Sequence, residues 1–139
     1  MVNHRRPVIE GGVPKNYFLD TYYASKLGMD PTSSNRGNLV WSSGERERLA
    51  MFAQLQRGLF ITQFLDGNSN SATGDFSLGV KGFYVEKGQI VHPVSEVNVA
   101  ANQVECWRSL AEIGNDPRKY SSNLAPTLRF ANVQCSGTA

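Results

Sequence analysis

Between residues 76 and 84, apolar residues alternate with small or polar ones. One set of positions holds Phe76, Leu78, Val80 and Tyr84, and the positions between them hold Ser77, Gly79, Lys81 and Phe83. A period of two is typical of a β-strand with one buried face. The polar segment Glu86–Gln89 predicts a turn, and Ile90–Val94 predicts the returning strand of a hairpin.

Further extended segments surround this hairpin. Leu59–Leu65 is rich in β-forming residues and leads into a loop of small residues that begins at Gly67. Val97–Ala101 continues the extended pattern, and Thr127–Phe130 predicts one more strand. Several hairpins are therefore expected, and they favour an antiparallel or mixed sheet.

The first part of the chain predicts a small hairpin and a short helix. Val8–Leu19 contains a Gly-Gly turn, and we expect its returning strand to begin after Pro14. Asp20 is a suitable N-cap for a helix over Thr21–Leu27, and Gly28 is placed to end it.

Two longer helices are predicted further along the chain. Ser42 and Glu45 have capping-box spacing and predict a helix that Gly58 closes. A second helix is expected over Asn102–Ile113, with Gly114 at its end. Hairpins combined with two main helices predict the α+β class.

Composition predicts one soluble domain over residues 1–139. The apolar fraction is 40% and the charged fraction 19%, which are globular values. The formal charge of +2 is too small to indicate direct nucleic-acid binding. No apolar run is long enough to cross a membrane, and two cysteines without a signal peptide favour the cytoplasm.

The stretch from Gly67 to Gly82 is the best candidate for a working surface. Its small, hydrogen-bonding residues and glycines would let an extended peptide approach the backbone, as when a peptide adds to a sheet edge. A polar hairpin loop that enters a bulged strand is the alternative. The candidate peptide-binding residues are Asn70, Thr73, Gly74, Asp75, Phe76, Ser77, Gly79 and Gly82.

Recognised catalytic and metal motifs do not fit the chain. His4 and His92 lack the spacing of a zinc helix, and Cys106 and Cys135 are far from CxxC spacing. A phosphate loop is excluded because Val separates the second Gly from Lys81. No serine-hydrolase elbow is present, so we predict no catalytic residue and no metal ligand in this chain.

Seven short segments resemble, in order, parts of a known family. They are Glu10–Tyr17, Tyr23–Gly28, Arg57–Leu59, Thr73–Gly79, Gly82–Phe83, Pro93–Val94 and Gly114–Asp116. The chain resembles the C-terminal part of the TldD/PmbA family over nearly its whole length. The most specific feature is Gly-Asp-Phe-Ser-Leu-Gly, followed by Gly-Phe and a turn into Pro-Val.

The resemblance implies a cytosolic bacterial or archaeal protein. Family members are described as modulators of DNA gyrase and as metallopeptidases that trim peptides as two-subunit assemblies. In the active subunit, an upstream His-Glu-x-x-x-His helix and a Cys near the C-terminus hold zinc. The resemblance thus places the chain in a metallopeptidase family although it carries no metal-binding or catalytic motif.

The chain departs from the family pattern at two places. Lys119–Leu124 occupies the region where the zinc-binding Cys normally lies, and Cys135 is too close to the end to match it. The chain therefore resembles the PmbA (TldE) branch, which lacks the metal site. Val99–Asn102 also departs from the usual Ile-Ala-Gly-Asn, at the entry to a predicted helix.

From this resemblance we expect a non-catalytic C-terminal module that shapes a peptide channel and a subunit interface. The expected partners are a second copy or a TldD-like subunit, together with the peptide substrates, and zinc would lie in the partner. The alternatives are part of an active TldD-like zinc metallopeptidase, or an interaction protein that modulates DNA gyrase.

Overall fold

The computed structural model describes residues 4–137. The chain divides into two compact units, which are described separately. One comprises residues 4–40 and Lys119–Leu124, and the other comprises Trp41–Arg118 and residues 125–137. Among the described residues, no helix has the length and apolar character needed to cross a bilayer.

The described part of the chain contains short helices and strands of varied length. The helices are α1 (Thr21–Leu27), α2 (Arg48–Phe52) and α3 (Gln103–Arg108). The strands are β1 (Ile9–Glu10), β2 (Val13–Pro14), β3 (Leu39–Val40), β4 (Arg57–Ser69), β5 (Asp75–Glu86), β6 (Gln89–Asn102), β7 (Leu110–Ile113), β8 (Asn123–Leu124), β9 (Leu128–Phe130) and β10 (Gln134–Ser136). The predicted α+β class is confirmed.

In the smaller unit, local signals set the helix. The Oδ1 atom of Asp20 accepts a hydrogen bond of 2.8 Å from the backbone N–H of Tyr23, and α1 ends at Gly28 with φ 64°. The predicted bounds of α1 are therefore confirmed. The hairpin β1–β2 also forms, but its second strand is Val13–Pro14. The expectation that this strand begins after Pro14 was wrong.

The larger unit is built on an antiparallel four-stranded sheet with the order β10-β6-β5-β4. Its core is a valine cluster made of Val80, Val97 and Val99, each at most 6% exposed. Partly buried apolar side chains from three strands pack against this cluster, including Phe76 of β5. The alternation found in the sequence thus gives the first half of β5 one buried face. It fails further along the strand, where Val85 is fully buried and the predicted Tyr84 is only half-buried.

The hairpin β5–β6 confirms the turn predicted at Glu86–Gln89. Lys87 and Gly88 lie between the strands with φ of 48° and 79°. Positive φ at both central residues is the geometry of a type I′ turn, whose twist matches that of the strands. The loop predicted to begin at Gly67 is shorter than expected, because β4 continues to Ser69.

The helix predicted over Ser42–Gly58 shrinks to the five residues of α2. The residues expected to form its first turn instead make backbone hydrogen bonds with a segment near residue 114. The N–H of Gly44 donates to Gly114 O, and the N–H of Asn115 donates to Arg46 O, both at 2.9 Å. An isolated parallel bridge joins Arg46 and Gly114. These backbone pairs hold the segment extended, so the capping-box signal is overridden.

The helix predicted over Asn102–Ile113 is also too long. Its last residues form β7, which pairs with β9 in the register Leu110 with Phe130 and Ile113 with Leu128. On β7, the Glu112 carboxylate forms ion pairs of 3.4 Å with Arg46 and 3.1 Å with Arg129. Pairing with a distant strand therefore replaces the second half of the helix.

Candidate functional site

The β4–β5 loop (residues 70–74) is organised by its first residue. The Oδ1 atom of Asn70 accepts hydrogen bonds from the backbone N–H groups of Ala72 at 2.9 Å and Thr73 at 3.4 Å. The Asn70 N–H donates to Asp75 O, and the Gly74 N–H donates to Asn70 O, both at 2.8 Å. The side chain thus imitates a backbone turn and fixes the exposed tip of the loop.

Asn102, the last residue of β6, joins this loop to α3. Its Nδ2 group donates to Thr73 O and to Asp75 Oδ1, both at 2.9 Å. Its Oδ1 atom accepts from the Val104 N–H at 3.0 Å and caps α3. Hydrogen bonds from Asn102 and then Thr73 lower the pKa of Asp75, against a smaller opposing effect of desolvation.

Gly74 is favoured by the backbone geometry at the end of the loop. Its φ of 82° favours glycine, and a Cβ atom there would lie 3.3 Å from Asn102 Nδ2. The Gln103 N–H donates to Gly74 O at 2.8 Å, so a backbone bond also joins the loop to the start of α3. The loop, the end of β6 and the start of α3 are therefore hydrogen-bonded together.

The predicted site residues do not all share one surface. Ser77 and Gly79 of β5 lie on the same face of the sheet as Asn98 of β6. The Asn98 Nδ2 group donates a hydrogen bond of 2.8 Å to Ser77 Oγ. Phe76 points to the opposite face and packs against the valine cluster. The structure thus brings Asn70, Thr73, Gly74 and Asp75 together, and it separates Phe76 from them.

The position of β5 in the sheet changes how a peptide could be bound. β5 is paired with β4 on one side and with β6 on the other, so residues 75–82 offer no free edge. The expectation of strand addition along these residues is wrong. Only Gly67–Ser69 of the candidate stretch lies on the outer strand β4, and two register shifts interrupt β4 between residues 61 and 67.

The two glycines of β5 are approached by this chain's own backbone. A Cβ atom at Gly82 would contact the carbonyl oxygen of Phe60, and one at Gly79 would lie 3.3 Å from Asp66 O. Both neighbours belong to β4. These glycines therefore allow β4 and β5 to pack closely, and their role as peptide contacts stays a prediction.

The described residues do not form a site that fits zinc. No group of three or more His, Cys, Asp or Glu side chains converges within residues 4–137. The ring of His92 stacks on Tyr84 with centroids 5.3 Å apart. Burial raises the pKa of the thiols of Cys106 and Cys135, which disfavours the thiolate form that zinc requires.

Sequence reasoning missed Asn98 and Asn102 as members of the site. Both contact predicted site residues across the β5–β6 pair, 21 and 27 residues away in sequence. The predicted β5–β6 hairpin offered a signal for these contacts. If residues are paired one by one outward from the turn, Asp75 falls close to Asn102 on the opposite strand. Bulges in the hairpin shift that count, so the exact partners required the structure.

The fold and the candidate site define an α+β domain whose long antiparallel hairpin carries a structured polar loop. The family model described as the PmbA/TldA metallopeptidase C-terminal domain matches residues 1–137. The chain therefore belongs to the PmbA/TldD metallopeptidase family.

Individual relatives agree with this family. The metalloprotease PmbA of Escherichia coli O157:H7 is 35% identical over 133 residues, which cover 94% of this chain and 27% of that protein. A crystal structure from Bacteroides thetaiotaomicron, described as a modulator of DNA gyrase, is 44% identical with TM-score 0.88, over 98% of this chain and 31% of that one. TldE from Thermococcus kodakarensis shares the fold, with TM-score 0.82 at 19% identity, over 97% of this chain and 34% of that one.

Proposed function

We propose that the chain is the non-catalytic C-terminal module of a PmbA-like (TldE-like) subunit in a cytoplasmic zinc metallopeptidase complex. The observation that carries the proposal is the match to PmbA, at 35% identity over 94% of this chain. The chain spans less than a third of that relative, so peptide cleavage would be the work of a larger assembly. Zinc would be held by a TldD-like partner.

Within this assembly, the peptide channel would be lined by the β4–β5 loop and by the face of β5 that carries Ser77 and Gly79, which we call the polar face of β5. Residues 71–73 are exposed, and the side chains at 70, 73 and 77 are neutral hydrogen-bonding groups. Such groups suit the peptide main chain, which presents the same donors and acceptors whatever its sequence. These neutral side chains would therefore tolerate varied substrates, with the Asp75 carboxylate beside them hydrogen-bonded to Asn102.

Metal content and activity test the proposal directly. We expect the purified chain to hold far less than one zinc and to cleave no peptide alone, but to raise peptide cleavage by a TldD-like subunit. About one tightly held zinc per chain, lost in His92→Ala or Cys135→Ser, would favour the alternative of an active TldD-like peptidase. His4→Ala is the matched control, since it removes an exposed histidine elsewhere.

The proposal includes association with a second subunit. In the smaller unit, Ile9, Tyr22, Tyr23 and Leu27 are each more than half exposed. Tyr22, Tyr23 and Leu27 lie together on the short helix α1, and exposed apolar side chains of this kind usually mark a contact surface. We expect light scattering at micromolar concentration to show a dimer, or a complex with a TldD-like subunit. A stable monomer of about 15 kDa that neither self-associates nor binds that subunit would contradict this part.

A second candidate is modulation of DNA gyrase by direct interaction. It is favoured by the Bacteroides thetaiotaomicron structure, which is described as a modulator of DNA gyrase and is 44% identical to this chain. A supercoiling assay with purified gyrase separates the candidates. A change in gyrase rate at stoichiometric amounts of the chain, without any peptidase subunit, would favour modulation.

A further inference from the structure

We propose that Asn102 is the positioning residue of the peptide channel: it holds the β4–β5 loop in the conformation that receives a peptide. This inference rests on the proposed function, because it assumes that the loop contacts peptide. It goes further in assigning control of the loop to a residue outside the loop, at the junction of β6 and α3.

The amide nitrogen and the amide oxygen of the Asn102 side chain bond to different elements. Its Nδ2 group faces the loop and donates to Thr73 O and Asp75 Oδ1, both at 2.9 Å. Its Oδ1 atom faces α3 and accepts from the Val104 N–H at 3.0 Å. Donors are used only toward the loop and the acceptor only toward the helix, so one substitution can separate the two roles.

The Asn102→Asp substitution makes this separation. A carboxylate at position 102 still accepts from Val104, and Asp is as good an N-cap as Asn. It has no donor for Thr73 O, and it places a second negative charge beside the Asp75 carboxylate. We therefore expect α3 to remain and the loop to loosen.

Peptide cleavage by the complex with a TldD-like subunit provides the measurement. For Asn102→Asp we expect KM to rise about tenfold at neutral pH with kcat nearly unchanged, since two hydrogen bonds that order the loop are lost. Below the raised pKa of the new carboxylate pair, one proton can bridge positions 75 and 102. The variant's KM should therefore fall toward that of the wild type in acid, which loss of packing alone would not produce.

Two further variants sharpen the test. In the double variant Asn102→Asp/Asp75→Asn, the amide at position 75 can donate to the carboxylate at position 102, so we expect much of the KM defect to be rescued. Gln103→Ala is the matched control, because it shortens the exposed neighbouring side chain and keeps the backbone bond to Gly74. Its KM should equal that of the wild type.

The outcomes separate the inference from the proposed function. If Ala72→Trp at the loop tip raises KM while Asn102→Asp leaves it unchanged, or if the double variant shows no rescue, the positioning role is refuted and the channel role stands. If neither Ala72→Trp nor Asn102→Asp alters cleavage, the channel role itself fails. Should Asn102→Asp not fold, Asp75→Ala removes one acceptor of the same link and must raise KM by a smaller factor.

Discussion

Substituting Gly82 by alanine should push β4 away from β5 at this position. The new Cβ atom would contact the carbonyl oxygen of Phe60 and lie 2.9 Å from its carbonyl carbon and 3.0 Å from the Cα atom of Ile61. All are backbone atoms, so no side chain can rotate away. Moving β4 would weaken about two ladder hydrogen bonds, each worth ~1 kcal/mol. It would also disturb the packing of Phe60 on Phe52 and Phe83, worth a further ~1–2 kcal/mol.

We therefore expect Gly82→Ala to lower the free energy of unfolding by about 3–4 kcal/mol, a large part of a typical domain's stability. Urea unfolding followed by tryptophan fluorescence would measure it. The control is Gly79→Ala, whose Cβ atom would lie 3.3 Å from Asp66 O and should cost below about 1 kcal/mol. Equal unfolding midpoints for the two variants would refute the close-approach explanation. Lys81→Ala, at an exposed strand position, should be nearly neutral.

Three other predictions follow from single groups. Asp20→Ala removes the acceptor for the Tyr23 N–H and should cost about 1 kcal/mol, seen as faster amide exchange confined to α1. Glu112→Gln removes a charge that two arginines contact, from a side chain only 14% exposed. Thermal melts should show a loss of about 1–3 kcal/mol, and no change would contradict a structural role. The pKa of Asp75 is lowered, chiefly by the Asn102 hydrogen bond, so this carboxylate stabilises the loop at pH values above its ordinary pKa. That contribution should disappear as pH falls through the lower folded pKa, and carbon NMR shifts of the carboxylate would show it.

The long hairpin could be predicted because its signals agree with one another. The alternation in β5, the two turn residues and the apolar return strand all favour the same pairing. The two longer helices were overestimated for the opposite reason. Their sequences favour helix locally, but residues near Gly44 and Ile113 find backbone partners on segments far away in sequence, and these partners decide the conformation.

The candidate site could be predicted only as a segment. Residues that share the loop, such as Asn70 and Thr73, are close in sequence and were grouped correctly. Partners across strands depend on register, and the bulges in β4–β5–β6 shift it by amounts that no local signal specifies. The position of β5 inside the sheet depends on strand order and not on register, because β5 pairs with β4 before it and with β6 after it.

The smaller unit shows why accurate local prediction and independent stability are different matters. Its helix α1 has the predicted bounds because a side-chain cap and a left-handed glycine, both adjacent in sequence, determine its ends. Yet within the described residues of this unit only Leu19 and Ala24 are buried apolar side chains. A seven-residue helix is marginal in water without packing, and two buried side chains supply little of it. Burying the exposed tyrosines of α1 against a partner would therefore stabilise this helix more than the packing within its own unit does. This is the physical basis for expecting a subunit contact at α1.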